Sequence, residues 1–297
     1  MIEPTQPLKK ILFIINPISG QRKKKEIEKW IGTELDKTQF DPVVVHTTSP
    51  GHATELSQKA VVDGVDVVVA VGGDGTVNEI GQALIGSSVS LAIIPTGSGN
   101  GLARHLKIPF NFKKALGVIN QGKIKKIDTA TINNKVFLSI AGIGYDAYVA
   151  RKFAKAGTRG FNTYFRIVSG EYPMYRPRKY KIEIDGKTIT RRALVVTFAN
   201  SNQFGNNASI DPGASLDDGY IDVCIVRRIP LLLVPFYAPM LFMKTFQKTQ
   251  FIEILKAKTV TITRKKGRAI HFDGDPFTMG KKLEMKINPL SLQVLVP

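Results

Sequence analysis

The sequence predicts an α/β domain followed by a mostly β domain, and three observations support this division. The chain has 297 residues, longer than one ordinary hydrophobic core and short for three domains. Up to residue 131, β-branched segments alternate with segments of helical periodicity, which is typical of a doubly wound parallel sheet. After residue 132, strand candidates dominate, as in an antiparallel sheet. We therefore predict a first domain over residues 1–131 and a second over residues 132–289. The last residues, 290–297, are a candidate strand that would complete the first domain.

The first domain is predicted to contain five strands. They are Ile11–Ile15, Val43–Val45, Asp66–Val71, Leu91–Ile94 and Lys126–Thr131. Five consecutive apolar residues follow Asp66, which favours a strand that is buried on both faces. Apolar residues at helical spacing between Ile27 and Leu35 predict the first helix.

The second domain is predicted to begin with two helices and to continue as strands. The helices are Tyr145–Ala154 and Asn162–Gly170, and Asp185–Gly186 predicts a two-residue turn between strands at Lys179–Ile184 and Leu194–Ala199. The further strand candidates are Tyr220–Val226, Thr259–Arg264, Leu283–Ile287 and Leu292–Val296.

Composition excludes several classes of protein. Hydrophobic residues make up 43% and charged residues 22% of the chain, which argues against disorder. The single cysteine, Cys224, excludes a disulfide framework and a multi-cysteine metal site. The longest apolar stretch, Ile229–Met243, contains three prolines and is shorter than the ~20 residues of a membrane-spanning helix. With no recognisable signal peptide, a cytoplasmic protein is expected.

The positive charge is concentrated in the second part of the chain. The net charge is +18, of which residues 1–130 carry +4 and the remainder +14. The segment Arg151–Lys181 holds nine basic side chains and one acid, interleaved with aromatic residues. Such a segment attracts a polyanion, and the neighbouring apolar stretch favours an anionic membrane surface over nucleic acid. We expect a peripheral protein at the inner membrane face, with no nucleic-acid partner and an oligomeric state that the sequence does not reveal.

Four loops rich in small and hydroxylated residues follow four predicted parallel strands. They cover residues 16–20, 47–53, 72–79 and 95–101. Ligands of such sheets bind beyond the carboxyl ends of the strands, so these loops should share one edge. Their glycines allow backbone N–H groups to approach phosphate oxygens, and the following helices offer positive N-termini. The pattern predicts a nucleotide-phosphate site.

Two Asp-Gly pairs, Asp218-Gly219 and Asp273-Gly274, admit either a turn or a functional interpretation. Asp-Gly is a strong hairpin signal by itself. The segment Gly142-Ile143-Gly144-Tyr145-Asp146 is interpreted as a tight turn, because no acid follows at the spacing of a dinucleotide fingerprint.

Taken in order, these motifs resemble one family. The first set is Asn16-Pro17-x-Ser19-Gly20, Gly72-Gly73-Asp74-Gly75-Thr76 and Pro95-x-Gly97-Ser98-x-Asn100; the second is Asp128, Gly142-x-Gly144-x-Asp146, Leu216-Asp217-Asp218-Gly219 and Asp273-Gly274-Asp275-Pro276. They resemble the diacylglycerol kinase catalytic-domain family, which includes bacterial lipid kinases and the sphingosine and ceramide kinases. The Gly-Gly-Asp-Gly-Thr core alone is shared with NAD kinases, whereas the ordered set covers nearly the whole chain.

The resemblance implies transfer of the γ-phosphate of ATP to a lipid hydroxyl, with ATP and Mg²⁺ as cofactors. It assigns nucleotide binding to Asn16, Pro17, Ser19, Gly20, Thr47, Gly72, Gly73, Asp74, Gly75, Thr76, Val77, Asn78, Glu79 and Ser98. It assigns a Mg²⁺ site to the side chain of Asp218 and the carbonyl groups of Ser215 and Tyr220, with Asp128 joining that network. Asp275 matches the position of the general base, and Asp74 is the second candidate for that role.

Two other functions and the identity of the lipid stay open. The shared glycine loop also fits an NAD kinase. The strongly basic second part also fits an inactive module that binds membranes or nucleic acid. Diacylglycerol, a glycerophospholipid headgroup and a sphingoid base are all possible acceptors.

Overall fold

A computed structural model describes residues 7–19, 24–97, 99–158, 160–204 and 207–297. The strands in these residues are β1 (Lys9–Ile15), β2 (Phe40–His46), β3 (Val67–Gly72), β4 (Ser90–Pro95), β5 (Ile124–Ile132), β6 (Lys135–Phe137), β7 (Ile140–Gly144), β8 (Arg178–Ile184), β9 (Lys187–Ala193), β10 (Val195–Ala199), β11 (Ile221–Val226), β12 (Ile252–Ala257), β13 (Thr259–Thr263), β14 (Arg268–Phe272), β15 (Asp275–Met279) and β16 (Lys282–Leu295). The α-helices are α1 (Lys24–Glu34), α2 (His52–Val62), α3 (Asp74–Leu84), α4 (Gly101–His105), α5 (Phe112–Gln121), α6 (Tyr145–Ala154), α7 (Phe161–Glu171) and α8 (Val234–Tyr237). Short 3₁₀ helices cover Leu231–Leu233, Ala238–Leu241 and Phe246–Lys248.

The chain forms two compact units. Unit 1 consists of residues 1–97, 106–126 and 291–297, and unit 2 consists of residues 98–105 and 127–290. The last strand, β16, contributes its end to unit 1 and its longer first part to unit 2.

Unit 1 is a parallel sheet with helices on both faces. Its strand order is β2-β1-β3-β4, and β16 joins beside β4, where Val294 pairs with Leu91. β3 and β4 are buried along their whole length, as their continuous apolar sequences predict. Residues of α1 and α5, such as Ile31 and Leu116, share one core with Phe13 of β1. The predicted doubly wound α/β architecture is confirmed.

Unit 2 is a sandwich of antiparallel strands. One sheet has the order β12-β11-β10-β7-β14-β15, and the other contains β16-β13-β8-β9 with β5 and β6. Side chains from both sheets, including Val223 of β11 and Ile262 of β13, form a common core. The predicted mostly antiparallel β domain is confirmed.

The strand predicted at Lys126–Thr131 is present as β5, but its neighbours are β16 and β6 rather than β4 of the parallel sheet. β5 instead forms a hairpin with β6, in which Ala130 pairs with Phe137. The two residues of the turn, Asn133 and Asn134, have φ angles of 48° and 66°. Asparagine tolerates this left-handed conformation, which a tight hairpin turn requires. The end of β16 takes the place beside β4.

The predicted hairpin around Asp185–Gly186 has a different second strand. The turn itself is present, with φ angles of 44° and 84°. The turn joins β8 to β9. The segment Leu194–Ala199 instead corresponds to β10, which pairs with β7 and β11 in the other sheet. β9 alternates polar and partly buried residues, so its sequence lacked the apolar character of a core strand. The predicted strands Leu283–Ile287 and Leu292–Val296 fall in one long strand, β16, which ends at Leu295.

Candidate active site

Loops at the carboxyl ends of β1, β3 and β4 meet in unit 1. The side-chain amide of Asn16, after β1, donates to Thr76 Oγ1 in the first turn of α3 at 3.1 Å. In the same loop, Ser19 Oγ lies 2.9 Å from Thr96 Oγ1, which follows β4. Loops after parallel strands reach the same edge of the sheet, so these hydroxyl and amide groups converge there.

The loop after β2 is joined to the same region through Glu79. The backbone N–H of Gly51 donates to Glu79 Oε1 at 3.1 Å, and Thr54 Oγ1 donates to the Glu79 carbonyl oxygen at 3.0 Å. Within this loop, the N–H of Thr47 donates to the carbonyl group of Ile15 at 3.0 Å. These bonds hold the loop between β1 and α3.

Gly72, the last residue of β3, and Gly73 allow α3 to begin directly at the end of the strand. A Cβ atom on Gly72 would collide with the side chain of Thr76, whose Cγ2 would lie 2.9 Å away. A Cβ atom on Gly73 would lie 3.5 Å from Gly97 Cα, so this loop packs closely on the loop after β4. The N-terminus of α3, which begins at Asp74, therefore lies among the four loops, where its positive dipole end favours an anion.

A cavity of about 210 Å³ lies between the loops after β1, β2 and β3. Its lining residues are Asn16, Pro17, Ile18, Thr47, Thr48, Ser49, Pro50, Ala53, Gly75, Thr76 and Glu79. Six of the residues with a predicted role in nucleotide binding are among them: Asn16, Pro17, Thr47, Gly75, Thr76 and Glu79. Small-molecule sites are typically ~300–1,000 Å³, so this cavity suits part of a ligand, such as its phosphate groups.

The other residues predicted to bind the nucleotide have different environments. Asp74 and Asn78 are half-buried in the first turns of α3. The side chain of Val77 is buried, and its N–H donates to the Gly73 carbonyl oxygen at 3.1 Å. Gly20 and Ser98 lie outside the described residues.

Three further hydroxyl side chains of this region lie in the predicted phosphate-binding loops but were not among the individually assigned residues. Thr48 and Ser49 line the cavity, and Thr96 contacts Ser19. The available signal was their position in the loops 47–53 and 95–101, which were already expected at the phosphate-binding edge of the sheet.

In unit 2, Asp128 connects three separate segments of the chain. This residue of β5 is fully buried. Its Oδ2 accepts from the N–H of Gly219 and its Oδ1 from the N–H of Leu290, both at 2.7 Å. The side-chain amide of Asn200 donates to the Asp128 carbonyl oxygen at 2.8 Å. Asp128 therefore positions the loop that carries the predicted Mg²⁺ residues.

The three residues of the predicted Mg²⁺ site lie in that loop. Asp218 Oδ1 accepts from the N–H of Tyr220 at 3.0 Å, and Asp218 Oδ2 lies 2.5 Å from Lys256 Nζ. Ser215 Oγ donates to Asp217 Oδ1 at 2.6 Å. The loop thus presents a carboxylate whose charge is balanced by one ammonium group.

A second carboxylate, Asp222, is buried next to this loop and was not selected from the sequence. Its Oδ1 accepts no hydrogen bond within the described residues and lies 3.6 Å from Lys256 Nζ. Burial, and then the neighbouring charge of Asp211, raises the pKa of Asp222 to about 6, although Lys256 opposes this shift. The local excess of negative charge favours a cation.

This donor set fits a Mg²⁺ ion held mainly by water and carbonyl oxygens. Mg²⁺ in proteins usually keeps several waters and takes one or two carboxylates. Asp218 offers one carboxylate, and Asp222 Oδ1, which accepts no hydrogen bond within the described residues, is nearby. In the parts of the chain that the structure describes, no group of three or more histidine, cysteine, aspartate or glutamate residues forms a ready metal cage. The role of Ser215 and Tyr220 as ligands stays a prediction.

Asp273-Gly274 forms the hairpin turn between β14 and β15. The two residues have φ angles of 48° and 95°. The Asp273 carboxylate accepts three hydrogen bonds, each 2.9 Å long, from the backbone N–H groups of residues 138–140. Asp275, the exposed first residue of β15, follows this anchored turn. The turn interpretation is therefore correct for Asp273-Gly274, and the same turn holds the predicted general base.

The motif at residues 142–146 has a packing role. Asp146 Oδ2 and His271 Nε2 lie 3.1 Å apart and both side chains are buried. A Cβ atom on Gly142 would lie 2.6 Å from His271 Nε2, so only glycine leaves room for this pair. Gly144, with a φ of 113°, precedes the first residue of α6.

Apolar side chains are exposed in the segment between β11 and β12. The exposed fractions of Leu232, Phe236 and Met243 are 86%, 73% and 68%. These residues belong to α8 and the short 3₁₀ helices, or lie next to them. Within the described residues, no helix has the length and apolar character to cross a membrane.

Comparison with known proteins agrees with this geometry. Residues 10–132 match the family model of the diacylglycerol kinase catalytic domain, and residues 139–296 match that of the YegS C-terminal NAD kinase beta sandwich-like domain. The chain is 28% identical to a diacylglycerol kinase of Bacillus subtilis (strain 168), covering 90% of both proteins. It is also 28% identical to a diacylglycerol kinase of Mycobacterium tuberculosis (strain ATCC 25618 / H37Rv), covering 97% of this chain and 95% of the relative.

A crystal structure from Bacillus anthracis str. Sterne, assigned as a diacylglycerol kinase, has the same fold. It is 26% identical, covers 98% of both chains and superimposes with a TM-score of 0.82. The chain belongs to the family that joins a diacylglycerol kinase catalytic domain to a YegS C-terminal NAD kinase beta sandwich-like domain.

Proposed function

We propose that this protein is an ATP-dependent lipid kinase and that diacylglycerol is its acceptor. The convergence of the loops after β1, β2, β3 and β4 around the N-terminus of α3 carries the proposal. The family membership and the curated relatives named diacylglycerol kinase support it. The product would be the phosphate monoester of the lipid.

The loops of unit 1 are assigned to the phosphate groups of ATP. Asn16 and Thr76, joined by a 3.1 Å hydrogen bond, line the small cavity together with Gly75. Their amide, hydroxyl and backbone N–H groups are neutral donors, which bind phosphate oxygens without a fixed positive charge. Ser19 and Thr96 extend this set of hydroxyl groups.

The acidic loop of unit 2 is assigned to Mg²⁺. Asp218 would supply a carboxylate, and the carbonyl groups of Ser215 and Tyr220 would complete the protein ligands. When bound, the ion neutralises developing charge on phosphate oxygens. Asp128 would act by positioning this loop, since its carboxylate holds Gly219.

Asp275 is assigned as the general base. Its carboxylate would accept the proton of the lipid hydroxyl while that oxygen bonds to the γ-phosphorus of ATP. The bond from the γ-phosphorus to the bridging oxygen breaks, and ADP leaves with the electron pair. The anchored turn at Asp273 supports this role, because it fixes the backbone next to Asp275. Asp74, at the start of α3, is the alternative base.

The exposed apolar segment is assigned to reversible contact with the membrane that contains the lipid. The side chains of Leu232, Phe236 and Met243 are largely exposed to water, so their transfer into the interfacial region of a bilayer would be favourable. The net charge of +18 attracts an anionic leaflet. The protein would thus act at the inner membrane face as a peripheral enzyme.

Transfer of labelled phosphate tests the proposal. The full chain would be incubated with γ-labelled ATP, Mg²⁺ and phosphatidylglycerol vesicles containing diacylglycerol or a sphingoid base, beside a tube containing NAD. We expect a labelled, chloroform-extractable product from diacylglycerol, absent with Asp275→Asn and retained with the surface control Asp41→Asn. Label in NAD alone would establish an NAD kinase instead. Vesicle binding without labelled product from either lipid would favour the inactive binding module.

A further inference from the structure

Unit 2 contains a larger cavity that is separate from the residues assigned above. Its volume is about 750 Å³, within the ~300–1,000 Å³ typical of small-molecule sites. Four cationic side chains on three elements line it: Arg151 on α6, Arg178 and Lys179 on β8, and Arg192 on β9. The cavity is therefore large enough for an organic molecule and carries positive charge on several sides.

The connection from β13 to β14 and the first residue of β14 add four more cations. They are Arg264, Lys265, Lys266 and Arg268, of which Arg264 is buried and the other three are exposed. No aspartate or glutamate is among the described residues that line the cavity. Eight cations without a lining carboxylate create a strong positive potential.

Arg264 contributes positive charge to this cavity, although its N–H groups donate to backbone carbonyl groups of the protein. Arg264 donates to four backbone carbonyl groups, among them those of Met279 at 2.8 Å and Gly280 at 3.0 Å. Burial, and then the charges of Arg268 and Arg178 against the opposing effect of Tyr180, lowers the pKa of Arg264. The charge of Arg264 therefore adds to the charges of Arg178 and Arg268, which also line the cavity.

The pairing of β8 with β9 places two of the cations directly opposite each other. Lys179 and Arg192 are cross-strand partners, and both line the cavity. Like charges at such positions destabilise an antiparallel pair. Within the described residues, neither side chain forms an ion pair that would offset the repulsion. A bound anion would neutralise this pair of like charges and so remove its destabilising effect on the sheet.

The cavity also offers an aromatic surface beside the cations. Tyr175 and Tyr180 are buried at its wall and Tyr148 is half-buried. The hydroxyl group of Tyr175 accepts a 3.2 Å hydrogen bond from Arg178 Nε, whose guanidinium carbon lies 5.4 Å from the ring centroid. This contact holds the Arg178 side chain against the aromatic wall of the cavity, and a guanidinium group can bind phosphate oxygens through two N–H donors.

We propose that this cavity binds an organic phosphate with two or more negative charges, its phosphate held by Arg178, Arg192 and Arg268 and its organic part packed on the tyrosine rings. Two sources share this chemistry. One is a soluble organophosphate, and the other is the phosphomonoester headgroup of a lipid. The cavity is lined by none of the residues assigned to the kinase reaction, so its test uses binding alone.

The experiment compares two variants that lose the same charge. Arg192→Gln with Arg268→Gln neutralises two exposed cations of the cavity, and Lys187→Gln with Lys286→Gln neutralises two exposed cations elsewhere in unit 2. Binding of inorganic pyrophosphate would be measured by calorimetry. Sedimentation would measure binding to phosphatidylcholine vesicles that contain phosphatidic acid or phosphatidylglycerol at equal surface charge.

We expect the cavity variant to bind pyrophosphate, phosphatidic acid vesicles or both at least tenfold more weakly than the unmodified protein and the control variant. Loss confined to pyrophosphate identifies a soluble ligand, and loss confined to phosphatidic acid identifies a lipid headgroup. Equal weakening in both variants would show that net charge alone attracts the probes and would overturn the proposal. Unchanged binding in the cavity variant, or no binding of any probe to the unmodified protein, would overturn it as well. Thermal unfolding of both variants verifies that they are folded.

Discussion

The two cavities of this protein offer phosphate groups different environments. The cavity of about 210 Å³ in unit 1 has hydroxyl, amide and glycine residues and the carboxylate of Glu79, with no lysine or arginine among its described lining residues. The cavity of about 750 Å³ in unit 2 has eight cationic side chains and no described carboxylate. A site of the first kind suits a phosphate that arrives with its own Mg²⁺, whereas a site of the second kind suits a phosphate without a metal ion.

The difference indicates that net charge alone is a poor guide to the reaction site. Residues 1–130 carry +4 and the rest of the chain +14, yet the loops that resemble a kinase site are in the first part. Backbone N–H groups and a helix N-terminus contribute no formal charge, so a residue count overlooks them. The positive charge of unit 2 instead suits attraction to anionic surfaces and, as proposed, to an organic phosphate.

The largest effect is expected from Asp275→Asn, which should change the rate of phosphate transfer without changing the affinity for ATP. Asp275→Asn should lower turnover by roughly 10²–10⁴-fold, because the amide cannot accept the proton of the lipid hydroxyl. Nucleotide affinity should change little, since the substitution is outside the loops of unit 1. Steady-state transfer of label and calorimetry with ATP measure the two quantities. Near-normal turnover would exclude Asp275 as the base and transfer that role to Asp74.

The second-largest effect is expected at Gly72, whose packing shapes the small cavity of unit 1. Gly72→Ala should lower the free energy of unfolding by about 1–3 kcal/mol, because its Cβ atom collides with the side chain of Thr76. The collision should also weaken nucleotide binding, since Thr76 holds Asn16. Urea unfolding followed by circular dichroism would measure the change.

Gly117→Ala is the matched control for this substitution. A Cβ atom on Gly117 in α5 meets nothing within 4 Å, so alanine should stabilise that helix by about 0.5–1 kcal/mol. Equal stability of the two variants would contradict the assigned role of Gly72.

Salt dependence tests the contrast between the two cavities directly. Raising the salt concentration from about 0.05 M to about 0.5 M should weaken pyrophosphate binding in unit 2 by roughly tenfold, because mobile ions screen its cations. Binding of Mg-ATP to the loops of unit 1 should weaken by less than about threefold. Calorimetric titrations at several salt concentrations measure both slopes. Parallel slopes would mean that the two sites recognise phosphate in the same way.

The fold could be predicted from the sequence where a local pattern of apolar residues is enough to specify a helix or a strand. The helix Tyr145–Ala154 has the bounds expected from its periodicity, and the loops after β1 to β4 follow strands whose apolar residues are consecutive. β9 was missed because its side chains are mostly exposed, and β5 was misplaced because the Asn133-Asn134 turn was not recognised as a hairpin signal.

Sites assembled from distant segments were less accessible to sequence analysis. The basic cavity takes its cations from α6, β8, β9, the β13–β14 connection and the start of β14, and only the first two elements lie in the basic segment that the sequence revealed. Asp222 was missed for a similar reason, because its importance comes from the nearby Asp211 and Lys256. Tertiary proximity, which no local pattern encodes, creates both features.

The smallest effect is expected at a turn that belongs to neither cavity. Asp185 accepts hydrogen bonds from the N–H and hydroxyl groups of Thr259 and from the N–H of Lys258. Although slight burial opposes the shift, these bonds hold the pKa of Asp185 below its ordinary value. A carboxyl group whose pKa is lowered by folding stabilises the fold above its ordinary pKa, and this contribution disappears as the pH falls through the folded value.

Asp185→Asn should therefore lower the Tm slightly at neutral pH and flatten its decrease between about pH 5 and pH 2. Asparagine keeps the left-handed φ of 44° accessible, so the turn itself is retained. Calorimetric scans across this pH range, with Asp41→Asn as an exposed control in unit 1, measure the effect. Identical pH profiles for the unmodified protein and Asp185→Asn would contradict the role of this carboxylate, whereas a flattened profile would locate pH sensitivity of unit 2 outside its basic cavity.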